Sequence, residues 1–428
     1  MRKKIIGIFV VGILIITGFA SIPTKAGPAL QPLTSPDSQI IDIMQQVNES
    51  LLYEYLAGLV AFGPRVTGSM NCTRAAEYLY STFDEMGLDV DYHEWHLAGY
   101  DGKNVVATFP GTDVNSTAEY ILCAHYDTVP DAPGALDDGA AVAAVLATAK
   151  ILSQHSFPYT IRFIAFDGEE LGIYGSRMYA RDASQRGDNI VAVINLDQIG
   201  YAITTEGGRI FQVFVPERSK WLGDFITTVN TLYLNQTNMR VIVYPNSEDS
   251  DQDFFINYGF DATRFLHTDL DQQPGHTPND TIDKVNFTYL IKETKLTLAV
   301  ITELASTPLE LQVIITKPIP GYFYFFNLPL FHLRFKNLPP YLNLGVRTIV
   351  AGYPKLNVDV APYDDITCVV FCVDGYSKNW QFGSAPHYEW RIYYYWHYLI
   401  GAHSVEVYAY TASGKVASDE MNIFFIAL

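Results

Sequence analysis

Between Glu119 and Ala305, short apolar runs alternate with longer helical stretches. "EYILCAHYD", "PYTIRFIAFD" and "DNIVAVINLD" read as strands. "DGAAVAAVLATAKILSQ", "LGIYGSRMYARDA", "SKWLGDFITTVNTLYL" and "YLIKETKLTLAVITELA" read as helices. The strands are apolar on successive residues, so both faces must be covered. That pattern leaves essentially one architecture, an α/β domain with a mostly parallel central sheet flanked by helices. Upstream, the apolar spacing predicts one helix over Ile40–Leu59 and another over Asn71–Met86.

Residues 27–38, "GPALQPLTSPDS", read as a linker. The texture changes after Thr307. "LELQVIITKP", "CVVFCVDG" and "HSVEVYAYTASG" are short alternating strands separated by turn residues. The α/β domain, residues 39–307, is therefore expected to be followed by an all-β sandwich over 308–428. Within it, the run "YEWRIYYYWHYL" (Tyr388–Leu399) reads either as sandwich core or as an aromatic platform for cell-surface glycan or a partner protein.

Charge narrows the function classes. The formal net charge is −18, and a surface so acidic repels phosphates, which excludes nucleic acid as partner. The first 26 residues run against that trend: basic Arg2, Lys3 and Lys4, a short apolar run, then small residues before Thr24-Lys25-Ala26. This is a signal-peptide pattern, so the chain is expected to be secreted or held at the cell surface, the run then serving as an anchor. The four cysteines (Cys72, Cys123, Cys368 and Cys372) make neither a disulfide framework nor a zinc-finger spacing.

Chemistry gathers at the ends of the predicted strands. His125 and Asp127 end one strand, Asp137 and Asp138 precede the alanine-rich helix, Glu169 and Glu170 end the next strand, and Asp197 ends another. His276 stands in the loop "PGHTPNDT". Ligands of open α/β sheets bind outside the carboxyl ends of the strands. Several carboxylates in one crevice require cations, and a His/carboxylate set suits zinc.

Taken in order, "AFGPRVTGS", "AHYDT", "PGALDDGA", "DGEELGIYGS", "NLDQIGY" and "HTPNDT" resemble the motifs of the two-zinc aminopeptidases, including the secreted leucine aminopeptidase-like members, across about Ile40–Ser306. The resemblance implies two zinc ions per chain. Asp137 would bridge them, His125 and Asp197 would complete one, and Glu170 and His276 the other. Glu169 would be the general base for a metal-bridged water, and Asp127 would hydrogen-bond His125 and fix its tautomer.

The implied substrate is a peptide or protein with a free N-terminus, its α-amine near Asp197. A cis peptide is implied at Asp137-Asp138, with Asp138 capping the helix that follows. The C-terminal region resembles an immunoglobulin-like domain. His267 is a rival to His276, and Gln252 stands where the family often has histidine. A carboxypeptidase or dipeptidase on the same scaffold, and a catalytically silent peptide-binding or receptor-like protein, stay open.

Overall fold

A computed structural model describes residues 29–426, apart from 115, 247–248, 270–271, 319–321, 333–347, 353, 364 and 392–400. The signal-peptide pattern and residues 392–399 of the aromatic run lie outside the described residues.

Eight strands form one sheet, in the spatial order Asp89–Leu97, Tyr100–Phe109, Thr160–Phe166, Glu119–His125, Ile190–Leu196, Ala262–Leu266, Ile210–Phe214, Arg240–Tyr244. The middle four are parallel. Their residues are buried on both faces, as the unbroken apolar runs require. A hairpin absent from the sequence reading, Asp89–Leu97 with Tyr100–Phe109, extends the sheet antiparallel at one edge. Its two turn residues, Ala98 and Gly99, both have positive φ (53° and 87°), the twist that a two-residue hairpin loop demands. At the other side, Ile210–Phe214 pairs antiparallel with Ala262–Leu266.

The helix Ala140–Leu152 is buried everywhere except Lys150. Its alanines present little bulk, so the helices Glu49–Val60 and Phe287–Ser306 both pack against it. The single helix expected over Ile40–Leu59 is two, Ser38–Gln45 and Glu49–Val60. Asn48 divides them, its side chain accepting the Leu51 N–H as the cap of the second. The expected linker is also corrected in part. Ala29–Leu30 pairs antiparallel with Leu309–Glu310, Asp37 caps the first helix, and the Asp37 N–H donates to the Tyr233 hydroxyl at 2.9 Å. That hydroxyl in turn donates to Glu303 at 2.6 Å.

The C-terminal region is all strand among its described residues. A three-stranded sheet (Gln312–Lys317, Lys355–Ala361, His387–Arg391) faces a seven-stranded one that includes Ile366–Val373, Gly401–Thr411 and Val416–Ile426. Val358, Val360 and Trp390 from the first pack with Phe371, Val405, Val407 and Ile423 from the second in a core of their own. The α/β core ends at Leu309. A chain ending at Leu311 is therefore expected to fold and to bind metal. Circular dichroism and zinc analysis check this, and an unfolded product would mean that the two regions depend on each other.

Candidate metal centre

The parallel strands end at one edge of the sheet, so the residues that follow them meet there. His125 is the last residue of its strand, and Asp197 follows Ile190–Leu196. The turn carrying Glu169 and Glu170 is held from below by Asp127, whose Oδ1 accepts the Glu169 N–H (3.1 Å) and whose Oδ2 accepts the Glu170 N–H (3.2 Å). Thr67 donates to Asp127 as well as to Asp167. His125 Nδ1 lies 3.4 Å from Asp127 Oδ1 and has no well-formed hydrogen bond. Asp127 therefore clamps the two-glutamate turn first and touches His125 only loosely, which shifts the expectation drawn from the sequence.

The Asp137-Asp138 peptide is cis. Asp280, from "HTPNDT", accepts the Leu136 N–H at 2.7 Å and the Asp137 N–H at 3.2 Å, which turns Asp137 into the crevice. Gln198 Nε2 donates to Asp137 Oδ2 at 2.9 Å. Asp138 does not cap the alanine-rich helix as expected. The helix cap, Gly139, makes no side-chain bond, and Asp138 Oδ1 instead accepts the Gln198 N–H at 2.9 Å.

Arg65, fully buried, donates to the carbonyls of Tyr126, Pro133 and Gly134 at 2.6, 2.7 and 2.9 Å, and so ties the His125 loop to the Asp137 loop. Burial pushes its pKa down to about 10, so it stays charged at neutral pH. Gly134 has φ +67, and a Cβ there would come within 2.3 Å of Thr128 Cγ2 and 2.7 Å of Arg65 Nη2. Arg65→Met is expected to take this donor from the Tyr126 and Pro133 carbonyls, Gly134 keeping the Gly139 N–H, and to cost about 3 kcal/mol of stability. Chemical denaturation measures it, and an unchanged midpoint and slope would refute the tie.

With these supports the donors converge. His125 Nε2 lies 3.3 Å from Asp137 Oδ1 and 3.8 Å from Asp197 Oδ1. His276 Nε2 lies 3.0 Å from both Asp137 Oδ2 and Glu170 Oε2. One ligand atom from each of His125, Asp137 and Asp197 lies within 4.8 Å of the others. The same holds for Asp137, Glu170 and His276, and for His125, Glu169 and Glu170. His276 reaches its place with φ +59. The rival His267 joins none of these groups: it is fully buried against Tyr201, and burial pushes its pKa down to about 3. Gln252 is fully buried and accepts a hydrogen bond from Asn195.

The electrostatics show what the set lacks. Burial raises the pKa of Glu169 far above the carboxylate range and that of Glu170 to about 7, with His125 opposing both. Burial works against the His125 imidazolium, but Asp127 and Asp137 outweigh it and hold its pKa well above the usual value. Asp137, buried, is held low by its two histidines. Glu170 Oε1 is buried without a hydrogen-bond partner. Converging carboxylates and imidazoles with an orphaned oxygen fit divalent cations, and this mix of N and O donors fits zinc. Asp137, with one oxygen toward each histidine, is shared by two of the donor groups.

Four functional side chains escaped the sequence reading: Arg65, Asp280, Gln198 and Arg264. Arg65, Gln198 and Asp280 stood inside quoted motifs without a role. Arg264 had a usable signal, a lone cation inside the apolar strand "ATRFL", where burial demands an acidic partner.

Residues 104–301 match Peptidase family M28. A "Probable zinc metalloprotease" of Pyrenophora tritici-repentis is 25% identical over 340 residues, covering 64% of this chain and 78% of that one. "Leucine aminopeptidase 1" of Coccidioides posadasii is 26% identical over 292 residues, covering 63% and 74%. The crystal structure of LapB from Legionella pneumophila superposes with a TM-score of 0.57 at 25% identity, covering 65% and 78%. The matched span takes in His125, Asp137, Glu169, Glu170, Asp197 and His276, so the converging donors all lie within the part of this chain that is similar to peptidase family M28.

Proposed function

We propose that the chain is an exported aminopeptidase with two zinc ions, and that it releases N-terminal residues from peptides. The observation that carries the reading is the sharing of Asp137 between a His125–Asp197 group and a Glu170–His276 group. His125 and Asp197 would hold one ion, Glu170 and His276 the other, and Asp137 both. Zinc bound there would supply the acidification of a water and the stabilisation of negative charge on the scissile carbonyl oxygen. Glu169 takes the proton of that water and returns it to the leaving amine. Its burial suits it to hold a proton. The carboxylate excess of the crevice favours a substrate that brings a cation, and an α-ammonium does so. The relatives' names and the signal-peptide pattern support activity on peptides and export.

Leucyl-p-nitroanilide and its N-acetyl form test this, each with and without chelator. The free-amine substrate is expected to be cleaved more than about 100-fold faster, because a site built for a polar group rejects its blocked analogue. Chelator should abolish cleavage and zinc restore it. Equal cleavage of the blocked substrate would reject the aminopeptidase reading. No cleavage of either by the zinc-loaded protein would indicate a silent binder.

A further inference from the structure

Asp197 divides its two oxygens between unlike partners. Oδ1 faces His125 Nε2 at 3.8 Å. Oδ2 lies 3.1 Å from Arg264 Nη2. Arg264 sits on the strand Ala262–Leu266, opposite Asn195 of the neighbouring parallel strand, so the fold itself delivers its guanidinium to the residue that follows that neighbour. Arg264 is 9% exposed and Asp197 3%, so little water screens the pair. The other side of the centre differs. Among the described residues, no lysine or arginine forms an ion pair with Asp137 or Glu170; their ion-pair partners are histidines.

We propose that Arg264 is a built-in counter-cation that makes the two metal positions unequal. The ion held by His125 and Asp197 is the weaker and more exchangeable one. Asp197 meets it with one oxygen already committed to a guanidinium, and a fixed positive charge opposes a dication at close range. Asp197 Oδ1 would then be the oxygen left to hold that ion. Arg264 is a positioning residue, and the occupancy of the His125–Asp197 position follows the ambient zinc concentration. This rests on the two-ion reading above.

The test is calorimetric titration of the full chain with zinc after chelation. Wild type is expected to load in two steps, the second at least about tenfold weaker, a difference within the range that groups around metal ligands impose. Arg264→Met should tighten the weaker step about tenfold and close the gap, while Arg264→Lys should keep it. Arg264→Gln serves if the methionine variant does not fold, as judged by circular dichroism. His276→Ala should leave one weak step and His125→Ala one tight step, which assigns the two. Two equal steps in wild type, or a weaker step loosened in Arg264→Met, would overturn the proposal. A single zinc ion in wild type would instead reject the two-ion reading beneath it.

Discussion

Glu169→Gln is expected to lower kcat by roughly a hundred- to ten-thousand-fold while zinc content stays at the wild-type level. Glutamine keeps the shape of the side chain and loses its capacity to accept a proton. The backbone of the turn should not move, because it is held by its N–H groups on Asp127 rather than by the Glu169 side chain. Steady-state kinetics and metal analysis on the same preparation check both halves. Glu169 also lies close to His125 and Glu170 in one donor group. A loss of zinc together with activity would therefore show that Glu169 is a ligand and not the base. Near-full activity would remove it from the chemistry.

Asp137→Ala is expected to take zinc content to none and activity to background. Asp137 turns one oxygen to His125 and the other to His276. Its loss leaves each half with two protein donors, one short of the three that a catalytic zinc takes. The fold should survive, because the Asp280 contacts run to the backbone N–H groups of Leu136 and Asp137, which alanine keeps. Metal analysis beside circular dichroism checks the pair. Retention of one tightly held ion would mean that Asp137 serves one side alone.

What was legible in the sequence follows a physical division. The parallel strands were legible because burial on both faces writes itself as an unbroken apolar run. The donors were legible because paired acids and histidines at strand ends are costly without a cation. The hairpin Asp89–Leu97/Tyr100–Phe109 was not, since its outer strand is mostly exposed or half-buried, the inner one is buried only over Asn104–Ala107, and its turn is Ala-Gly rather than a strong turn signal. The supports of the site were hidden for another reason. Arg65 works through backbone carbonyls that come from two separate loops, and Asp280 through N–H groups more than 140 positions away. Such partners exist only after folding, and no local spacing announces them. The linker misread at Ala29–Leu30 has the same origin: a Pro-rich stretch was judged by its composition, while its pairing partner lies at Leu309–Glu310.

The shared acid is the centre of this account, and anomalous X-ray scattering at the zinc edge on crystals of the zinc-loaded protein tests it most directly. Two peaks are expected, about 3.5–4 Å apart, one contacted by His125 and Asp197, the other by Glu170 and His276, and both by Asp137. A single peak, or two peaks without Asp137 between them, would contradict it.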